Sequence, residues 1–212
     1  MTISARDYDY VAPKSIRSGW VRVTLKNVGT EPHHVQFLRL NDGVTFEQFQ
    51  KALALGEGQA LALTAQMGGV GAVAPGGSAD AILDLQAGEY AILCFIPSPS
   101  DHVAHVAKGM ISKISVVASS SPAAAEPQAN LTVRMKDFLF DMPDTLAAGR
   151  TTIEVINDGP EPHELNFLLL AEGKTVSDAA QFLIDPQGPP PFTPVGGMNG
   201  LDVGKKGYLE YN

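Results

Sequence analysis

The sequence predicts an all-β protein built from two similar sandwich domains, the second of them incomplete. Three observations lead to this expectation: a turn-rich composition with 21 Gly and 15 Pro, segments in which apolar and polar residues alternate, and an internal repeat at an offset of 130 residues. A chain of 212 residues is long enough for two domains of about 100 residues, each with its own core.

The repeat covers most of the shorter copy and begins without a gap. A small gap later aligns Gly68-Gly69 with Gly196-Gly197, and both copies then enter a strand-like segment, Asp80 to Leu85 in one and Tyr208 to Asn212 in the other. Self-similarity over so many positions predicts the same supersecondary unit twice. The positions that recur after 130 residues are Asp7, Pro13, Gly19, Asn27, Gly29, Glu31, Pro32, His33, Phe37, Leu38, Leu40, Gly43, Thr45 and Leu53.

A segment rich in Ala, Ser and Pro separates the copies. Residues 118–130 show no apolar periodicity, which indicates an exposed linker. We therefore expect a first domain at residues 1–117, called the first repeat below, and a second at residues 131–212, called the second repeat. The second repeat stops before its last strands, so we expect it to expose apolar interior or to pair with another chain by self-association.

Local patterns predict strands with one helix inserted in each repeat. Val21, Val23 and Leu25 alternate with polar residues, and Tyr90, Ile92 and Cys94 fall on one side of a later strand, which is typical of half-buried antiparallel strands. Apolar residues at helical spacing, preceded by a capping box, predict a helix from about Thr45 to Leu55 and its counterpart from Thr175. Short strands with Gly and Pro turns favour a sandwich or a small barrel.

Charge and hydropathy exclude several partners. The formal net charge is −8 and the isoelectric point is about 5.0, which disfavours nucleic acid because its binders need a basic surface. No apolar run is long enough to predict a membrane span, and no signal peptide is present at the start of this chain.

Metal-binding residue types cluster in the first repeat. Four of the five histidines and the one cysteine lie in two short segments, Glu31 to Phe37 and Cys94 to Met110. A thiolate with imidazoles selects copper or zinc, and two histidines and a cysteine with a weak methionine form the ligand set of blue-copper electron-transfer sites. Zinc would not require the methionine.

These residues resemble the cupredoxins, the family of plastocyanin and of the copper domains of nitrite reductases. The resemblance covers residues 1 to about 117 and recurs in part over 131–212. It implies Greek-key β-sandwich domains, and it implies one type 1 copper ion bound by the histidine of the Pro-His dipeptide, His33, and by Cys94, His105 and Met110 of the last loop.

Alternatives remain open at several positions. Strand alternation places His33, Val35 and Phe37 on one face and His34 on the other, yet a core histidine is often only a satisfied polar group and Cys94 could be a small buried apolar residue. His102 could replace His105 as the loop ligand. His34 stands where cupredoxins often carry an asparagine that holds the thiolate loop, and its part in ligation is open. His163 of the second repeat, without further ligands, is not a site.

The resemblance implies one-electron transfer to a redox partner protein and a bacterial periplasmic or secreted location. We expect an electron carrier and not an enzyme, because multicopper enzymes place a histidine before the cysteine and this chain has Leu93. Alternatives are a metal-free binding module, a copper-delivery protein or, less favoured, a fragment of a nitrite reductase or multicopper oxidase. We also expect an exposed edge of His105 to offer the shortest route for the electron.

Overall fold

The computed structural model describes residues 1–120 and 124–211, which form two mixed β-sheets packed face to face, with α-helices outside them. Residues 121–123 of the predicted linker and Asn212 of the predicted last strand lie outside the described residues. The expected all-β sandwich is confirmed. Among the described residues, no helix has both the length and the apolar character that crossing a bilayer requires.

The first repeat provides nine strands and two α-helices to the described fold. The helix predicted from Thr45 is present, whereas a second short helix that follows Gly56 was not predicted. The elements are β1 Thr2–Arg6, β2 Asp9–Val11, β3 Ser15–Arg17, β4 Gly19–Asn27, β5 His33–Leu40, α1 Phe46–Leu55, α2 Glu57–Leu61, β6 Thr64–Val73, β7 Ser78–Leu85, β8 Gly88–Leu93, a 3-10 turn at His105–Lys108 and β9 Ile111–Val117.

The described part of the second repeat provides six strands and one α-helix. Its helix begins after Thr175, as predicted. The elements are β10 Leu131–Lys136, β11 Leu139–Asp141, β12 Thr151–Asn157, β13 His163–Leu170, α3 Val176–Ile184, β14 Phe192–Leu201 and β15 Lys206–Tyr211.

Each sheet contains strands of both repeats. Over the described residues, the eight-stranded sheet has the order β11-β10-β12-β15-β7-β4-β1-β2 and the seven-stranded sheet has the order β13-β14-β6-β5-β8-β9-β3. The parallel pair β10 and β12 repeats the parallel pair β1 and β4. In the first repeat β5 lies between β6 and β8, whereas β13 pairs with β14 alone among the described strands.

The two repeats meet edge to edge with matching registers. Strand β14 of the second repeat pairs antiparallel with β6 of the first repeat, with Met198 opposite Val70. Beside this junction β15 pairs antiparallel with β7 through Tyr208 and Ile82. Both sheets therefore continue from one repeat into the other, an arrangement that the sequence analysis did not anticipate.

Alternation along the strands builds one apolar layer between the sheets. Val23 and Leu25 of β4 are fully buried there, as are Tyr90 and Ile92 of β8. A second apolar cluster lies under α1 and α2, on the outer face of the seven-stranded sheet. Its buried members are Leu38, Leu40, Phe49, Ala60, Ala91 and Leu93. Strands β5 and β8 are consequently packed against apolar side chains on both faces. This packing supports the end of the sandwich at which the predicted ligands lie.

Both predicted helices begin with the expected capping box. The Thr45 hydroxyl accepts from the Gln48 amide at 3.1 Å, while the Gln48 side chain accepts from the Thr45 amide. Thr175 and Asp178 make the same reciprocal pair in α3. These bonds satisfy amide groups that a helix start leaves without partners, so each helix begins where the sequence indicates.

The second repeat leaves more apolar side chain uncovered than the first. Leu168 of β13 is only partly buried, whereas its counterpart in the first repeat, Leu38 of β5, is fully buried. The exposed large apolar residues of the second repeat are Phe138, Leu139, Phe140, Leu146, Leu169, Val176, Leu183, Ile184 and Val203. Among the described strands, none pairs with the second edge of β13, whereas β8 pairs with the corresponding edge of β5.

Candidate metal centre

Three of the four predicted ligand side chains meet at one end of the first repeat. Nδ1 of His33 lies 3.1 Å from Nδ1 of His105, which lies 3.4 Å from Sγ of Cys94. The three donor atoms lie within 4.8 Å of one another, and all three residues are fully buried. Within residues 1–120 and 124–211, His33, Cys94 and His105 are the histidine, cysteine or acidic side chains whose donor atoms lie close enough together to bind one metal ion.

Neighbouring strands bring His33 and Cys94 together. His33 opens β5, and Cys94 follows the last residue of β8, the antiparallel neighbour of β5. The loop after Cys94 then folds back: the His105 amide donates to the Ile96 carbonyl at 2.9 Å, and the Val106 amide donates to the Cys94 carbonyl at 2.8 Å. His105 therefore begins its 3-10 turn directly beside the cysteine.

Met110, the fourth predicted ligand, is joined to two of the others by backbone hydrogen bonds. Its amide donates to the His105 carbonyl at 3.0 Å, and its carbonyl accepts from the Cys94 amide at 3.2 Å. Gly109 precedes it with φ of 107°, a left-handed conformation that glycine adopts without strain and that ends the turn. The Met110 side chain is fully buried in the same apolar cluster as Cys94.

A carboxylate holds each histidine from the side away from the cysteine. Nε2 of His33 donates to Oδ1 of Asp7 at 2.8 Å, and Nε2 of His105 donates to Oε2 of Glu31 at 2.8 Å. A neutral imidazole carries one proton, so these bonds leave a lone pair on each Nδ1. Two lone pairs thus face each other at 3.1 Å beside a thiol, an arrangement that a shared cation stabilises.

Hydrogen bonds keep both carboxylates ionised. Burial raises the pKa of Asp7, but hydrogen bonds from the Thr30 hydroxyl, His33 and the amides of Thr30 and Glu31 outweigh it and hold the pKa well below the usual range. The pKa of Glu31 is lowered in the same way: burial opposes the shift, and hydrogen bonds from Ser98, His105 and Tyr8 prevail. Each carboxylate is therefore an acceptor that favours the Nε2-protonated form of its histidine.

Burial dominates the protonation of the donors. It raises the pKa of the Cys94 thiol to about 12, despite hydrogen bonds from the backbone amides of His34 and Ile96 and from the Tyr10 hydroxyl. Burial also lowers the pKa of His33, which keeps that imidazole neutral. A metal cation that binds here has to displace the thiol proton, as is usual for cysteine ligands.

His34 lies on the face opposite His33, as alternation predicts. Its Nε2 accepts a hydrogen bond of 2.6 Å from the amide of Phe95, the residue after Cys94, and Asn199 of the second repeat contacts its Nδ1. Burial lowers the pKa of His34 to about 4. His34 therefore holds the backbone beside the cysteine and faces away from the three donors.

The last loop gives different environments to its two histidines. His102 is exposed and has φ of 58°, whereas His105 is fully buried. The expectation of an exposed His105 edge is therefore wrong. The ring of Tyr8, with its centroid 5.2 Å from that of His105, and the Glu31 carboxylate cover the outer side of the imidazole.

Two side chains that hydrogen-bond to predicted ligands were missed, although the sequence contains a signal for them. Asp7 and Glu31 are among the recurring positions, as is His33, and the second repeat forms the matching pair: Nε2 of His163 donates to Oδ1 of Asp137 at 2.8 Å. A carboxylate that recurs together with a histidine indicates a contact between them.

Leu93, before the cysteine, is buried in the cluster beneath the helices.

A scan of protein-family models and a search of curated proteins give no match for this sequence. Solved structures do resemble the chain. Dithionite-reduced auracyanin from the photosynthetic bacterium Roseiflexus castenholzii is 22% identical, with 55% of this chain and 94% of that chain covered and a TM-score of 0.37. A multicopper oxidase is 17% identical over 100% of this chain and 78% of that one, with a TM-score of 0.32.

A third similar structure is the copper nitrite reductase of Nitrosomonas europaea, which is 13% identical over 99% of this chain and 82% of that chain, with a TM-score of 0.32. All three TM-scores are below 0.5, and the chemistry proposed below depends on the residues of this chain. Two packed mixed sheets, with a Cys-His-Met loop between β8 and β9 that returns to a histidine at the start of β5, agree with the architecture that the sequence resemblance implied. The chain has an all-β sandwich fold that is consistent with cupredoxin-like domains.

Proposed function

We propose that this protein binds one copper ion as a type 1 centre and carries single electrons. The ligands would be His33, Cys94 and His105, with Met110 as a weaker fourth ligand. The observation that supports this most directly is the convergence of two Nδ1 atoms and one Sγ at 3.1 and 3.4 Å. Donors at these separations can all lie about 2.0–2.3 Å from one ion, the range of metal bonds to histidine and cysteine.

The donor set favours copper over zinc. Two imidazoles and one thiolate would serve either metal, but a buried thioether adjoining them is typical of blue-copper centres. Met110 is fully buried, and its backbone is hydrogen-bonded to both His105 and Cys94. A methionine at this position is therefore held next to the other ligands by the backbone itself.

The protein would contribute rigidity, orientation and exclusion of water. His33, Cys94 and His105 show no exposed surface, and the carboxylates of Asp7 and Glu31 hold the two rings from behind. When copper is bound, it supplies one-electron redox chemistry. A ligand set fixed in this manner changes little between the two oxidation states, which is the requirement for rapid electron exchange.

The proposal is an electron carrier that serves a redox partner protein, with no catalytic site on this chain. Leu93 occupies the position before the cysteine, and its side chain lies among Leu38 and Phe49, under the helices. A histidine that would couple a second copper is thus replaced by a core residue. We further propose a periplasmic or secreted location, domains at residues 1–117 and 131–212 joined by residues 118–130, and self-association through the second repeat.

Copper titration with visible and electron paramagnetic resonance spectra tests the proposed function. We expect one copper per chain and an intense thiolate-to-copper band that Cys94→Ser abolishes. His163→Ala is the matched control, because His163 has the same carboxylate contact in the second repeat but no cysteine beside it. Copper binding without the band would favour copper delivery, and no binding would favour a metal-free module. Either of these results would overturn the proposal that the protein is an electron carrier.

A further inference from the structure

We propose that Asn199 of the second repeat fixes the tautomer of His34 and thereby positions the loop that carries Cys94. The inference rests on the proposed function, because Cys94 is a proposed copper ligand. It assigns the second repeat a part in a site to which it contributes no ligand. Asn199 is a positioning residue in this scheme and does not touch the metal.

The contact crosses one strand at the junction of the repeats. His34 is on β5 and Asn199 is on β14, and β6 lies between these strands with Val70 paired to both Val35 and Met198. Strands two positions apart are separated by about 9.5 Å, so only side chains can bridge them. Strand β6 has glycine at 68, 69 and 71, so these three positions place no side chain between the neighbouring strands.

The site of this contact is shielded from solvent. His34 is 8% exposed and Asn199 is 1% exposed. Both line a cleft at the junction, with Gln36 and Asn166 among the other lining residues. In such surroundings each polar atom needs a hydrogen-bond partner, because an unpaired one costs about 1–3 kcal/mol.

The hydrogen bond from Phe95 determines where the His34 proton must be. The Phe95 amide can only donate, and it lies 2.6 Å from Nε2 of His34, so Nε2 carries no proton. A neutral imidazole then carries its proton on Nδ1. That N–H points at the Asn199 side chain.

The proton on Nδ1 in turn selects the orientation of the amide. With Nδ2 of Asn199 against Nδ1, two donors face each other and Oδ1 of Asn199 has no hydrogen-bond partner among the described residues. Rotating the amide by half a turn places Oδ1 against the Nδ1 proton and removes both faults. We therefore assign Oδ1 of Asn199 as the acceptor from His34.

This chain of hydrogen bonds ends at the cysteine. The Phe95 amide belongs to the peptide bond that directly follows Cys94, so its hydrogen bond to His34 holds the backbone next to the cysteine. If Nε2 carried the proton instead, it would face the Phe95 N–H at 2.6 Å and push that peptide away. The Phe95 amide and the Asn199 acceptor therefore both favour the Nδ1-protonated tautomer, and loss of the Asn199 acceptor removes one of these two interactions.

The test compares Asn199→Leu with Asn166→Leu. Asn166 crosses the same junction, since its Oδ1 accepts from the Ala72 amide at 3.3 Å, but it forms no hydrogen bond with His34. Asn199→Asp keeps an acceptor for Nδ1 and serves as the conservative variant. The first two measurements use metal-free protein: ¹⁵N chemical shifts of the His34 ring, and hydrogen exchange of the Phe95 amide. The third is the visible spectrum after copper is added.

In the unmodified protein, we expect His34 to be protonated at Nδ1 and bare at Nε2. Asn199→Leu should speed exchange of the Phe95 amide about tenfold relative to Asn166→Leu, as expected for a weakened buried hydrogen bond, while Asn199→Asp should keep it slow. The copper band should shift in Asn199→Leu only.

Two results would overturn the inference: a proton on Nε2 of His34 in the unmodified protein, or equal Phe95 exchange in Asn199→Leu and Asn166→Leu. If Asn199→Leu does not fold, the ring shifts of the unmodified protein and of Asn199→Asp still decide the tautomer. The metal-free measurements do not depend on copper. A protein that passes them but binds no copper would refute the proposed function and leave the role of Asn199 standing.

Discussion

Glu31 accepts a hydrogen bond of 2.8 Å from Nε2 of His105 while its other oxygen accepts from Ser98 at 2.9 Å and from Tyr8 at 3.1 Å. One carboxylate thus connects the buried imidazole to the hydroxyl groups of Ser98, which is also buried, and of Tyr8, which is partly exposed. The negative charge sits behind a proposed copper ligand, so it should stabilise the more positive oxidation state of the metal.

Glu31→Gln should therefore raise the reduction potential of the copper-loaded protein. The amide can still accept from His105 and can donate to the hydroxyls of Ser98 and Tyr8, so the shape of the site is kept while the charge is lost. After solvent screening of a partly exposed charge, we expect a rise on the order of 50 mV. Redox titration followed at the copper band measures it. Glu161→Gln, at the exposed equivalent position, is the control, and an unchanged or lower potential in Glu31→Gln would contradict the charge argument.

His105→Ala and His102→Ala should differ sharply. His105 is fully buried with Nδ1 at 3.4 Å from the Cys94 sulfur, whereas His102 is exposed. We expect His105→Ala to abolish the copper band, or to need added imidazole to restore it, and His102→Ala to leave the spectrum almost unchanged. Visible spectra of both variants decide the matter. Bleaching by the His102 substitution alone would reverse the ligand assignment.

Gly29→Ala should disrupt the pair formed by Asp7 and His33. A Cβ at this position would lie 2.3 Å from Oδ1 of Asp7 and 2.8 Å from Nε2 of His33, both closer than contact allows. We expect a loss of about 1–3 kcal/mol in the free energy of unfolding, together with weaker copper binding. Denaturant unfolding of metal-free protein and copper titration provide the two measurements.

Two glycine variants separate the causes in that experiment. Gly159→Ala makes the same clash with Asp137 and His163 in the second repeat, so it should cost stability but leave copper affinity unchanged. Gly58→Ala lies in helix α2 with nothing within 4 Å of the added Cβ, so it should not destabilise the protein and should, by helix propensity, stabilise it by up to about 1 kcal/mol. Equal copper affinity in Gly29→Ala and Gly159→Ala would argue against a role for Asp7 at the metal site.

Hydrogen exchange should be faster in β13 than in β5. Strand β5 is paired on both sides, by β6 and β8, while β13 is paired with β14 alone among the described strands. Fewer neighbours and more exposed apolar side chains lower the free energy of local opening. Amide exchange measured by mass spectrometry on a protein shown to be monomeric tests this. Equal protection of the two strands in the monomer would refute the argument from the missing neighbour.

Much of the fold could be predicted from local patterns. Alternation identified β4 and β8, and the capping boxes at Thr45 and Thr175 placed the starts of α1 and α3, because these signals depend only on neighbours in the chain. Helix α2 was missed because five residues after Gly56 are too few to show a helical period.

The residue types of the candidate site could be predicted from the sequence, but several of its contacts could not. His33, Cys94 and His105 were identified by residue type and by resemblance, and the structure brings their donor atoms together. The carboxylates of Asp7 and Glu31 were not assigned, although both recur in the repeat. The burial of His105 under Tyr8 was also missed. It depends on the position of the turn that contains Tyr8, which is 97 residues away in the sequence.

By itself, the sequence determined the all-β class, the repeat at 130 residues, the helix starts and the residue types near the proposed metal, because each follows from local pattern or composition. Only the tertiary structure decided that β14 joins β6 and β15 joins β7, so that both sheets run through both repeats. It also decided that Asn199 meets His34. Strand edges carry the same backbone donors and acceptors whatever their side chains, so which edges pair depends on how the whole chain packs.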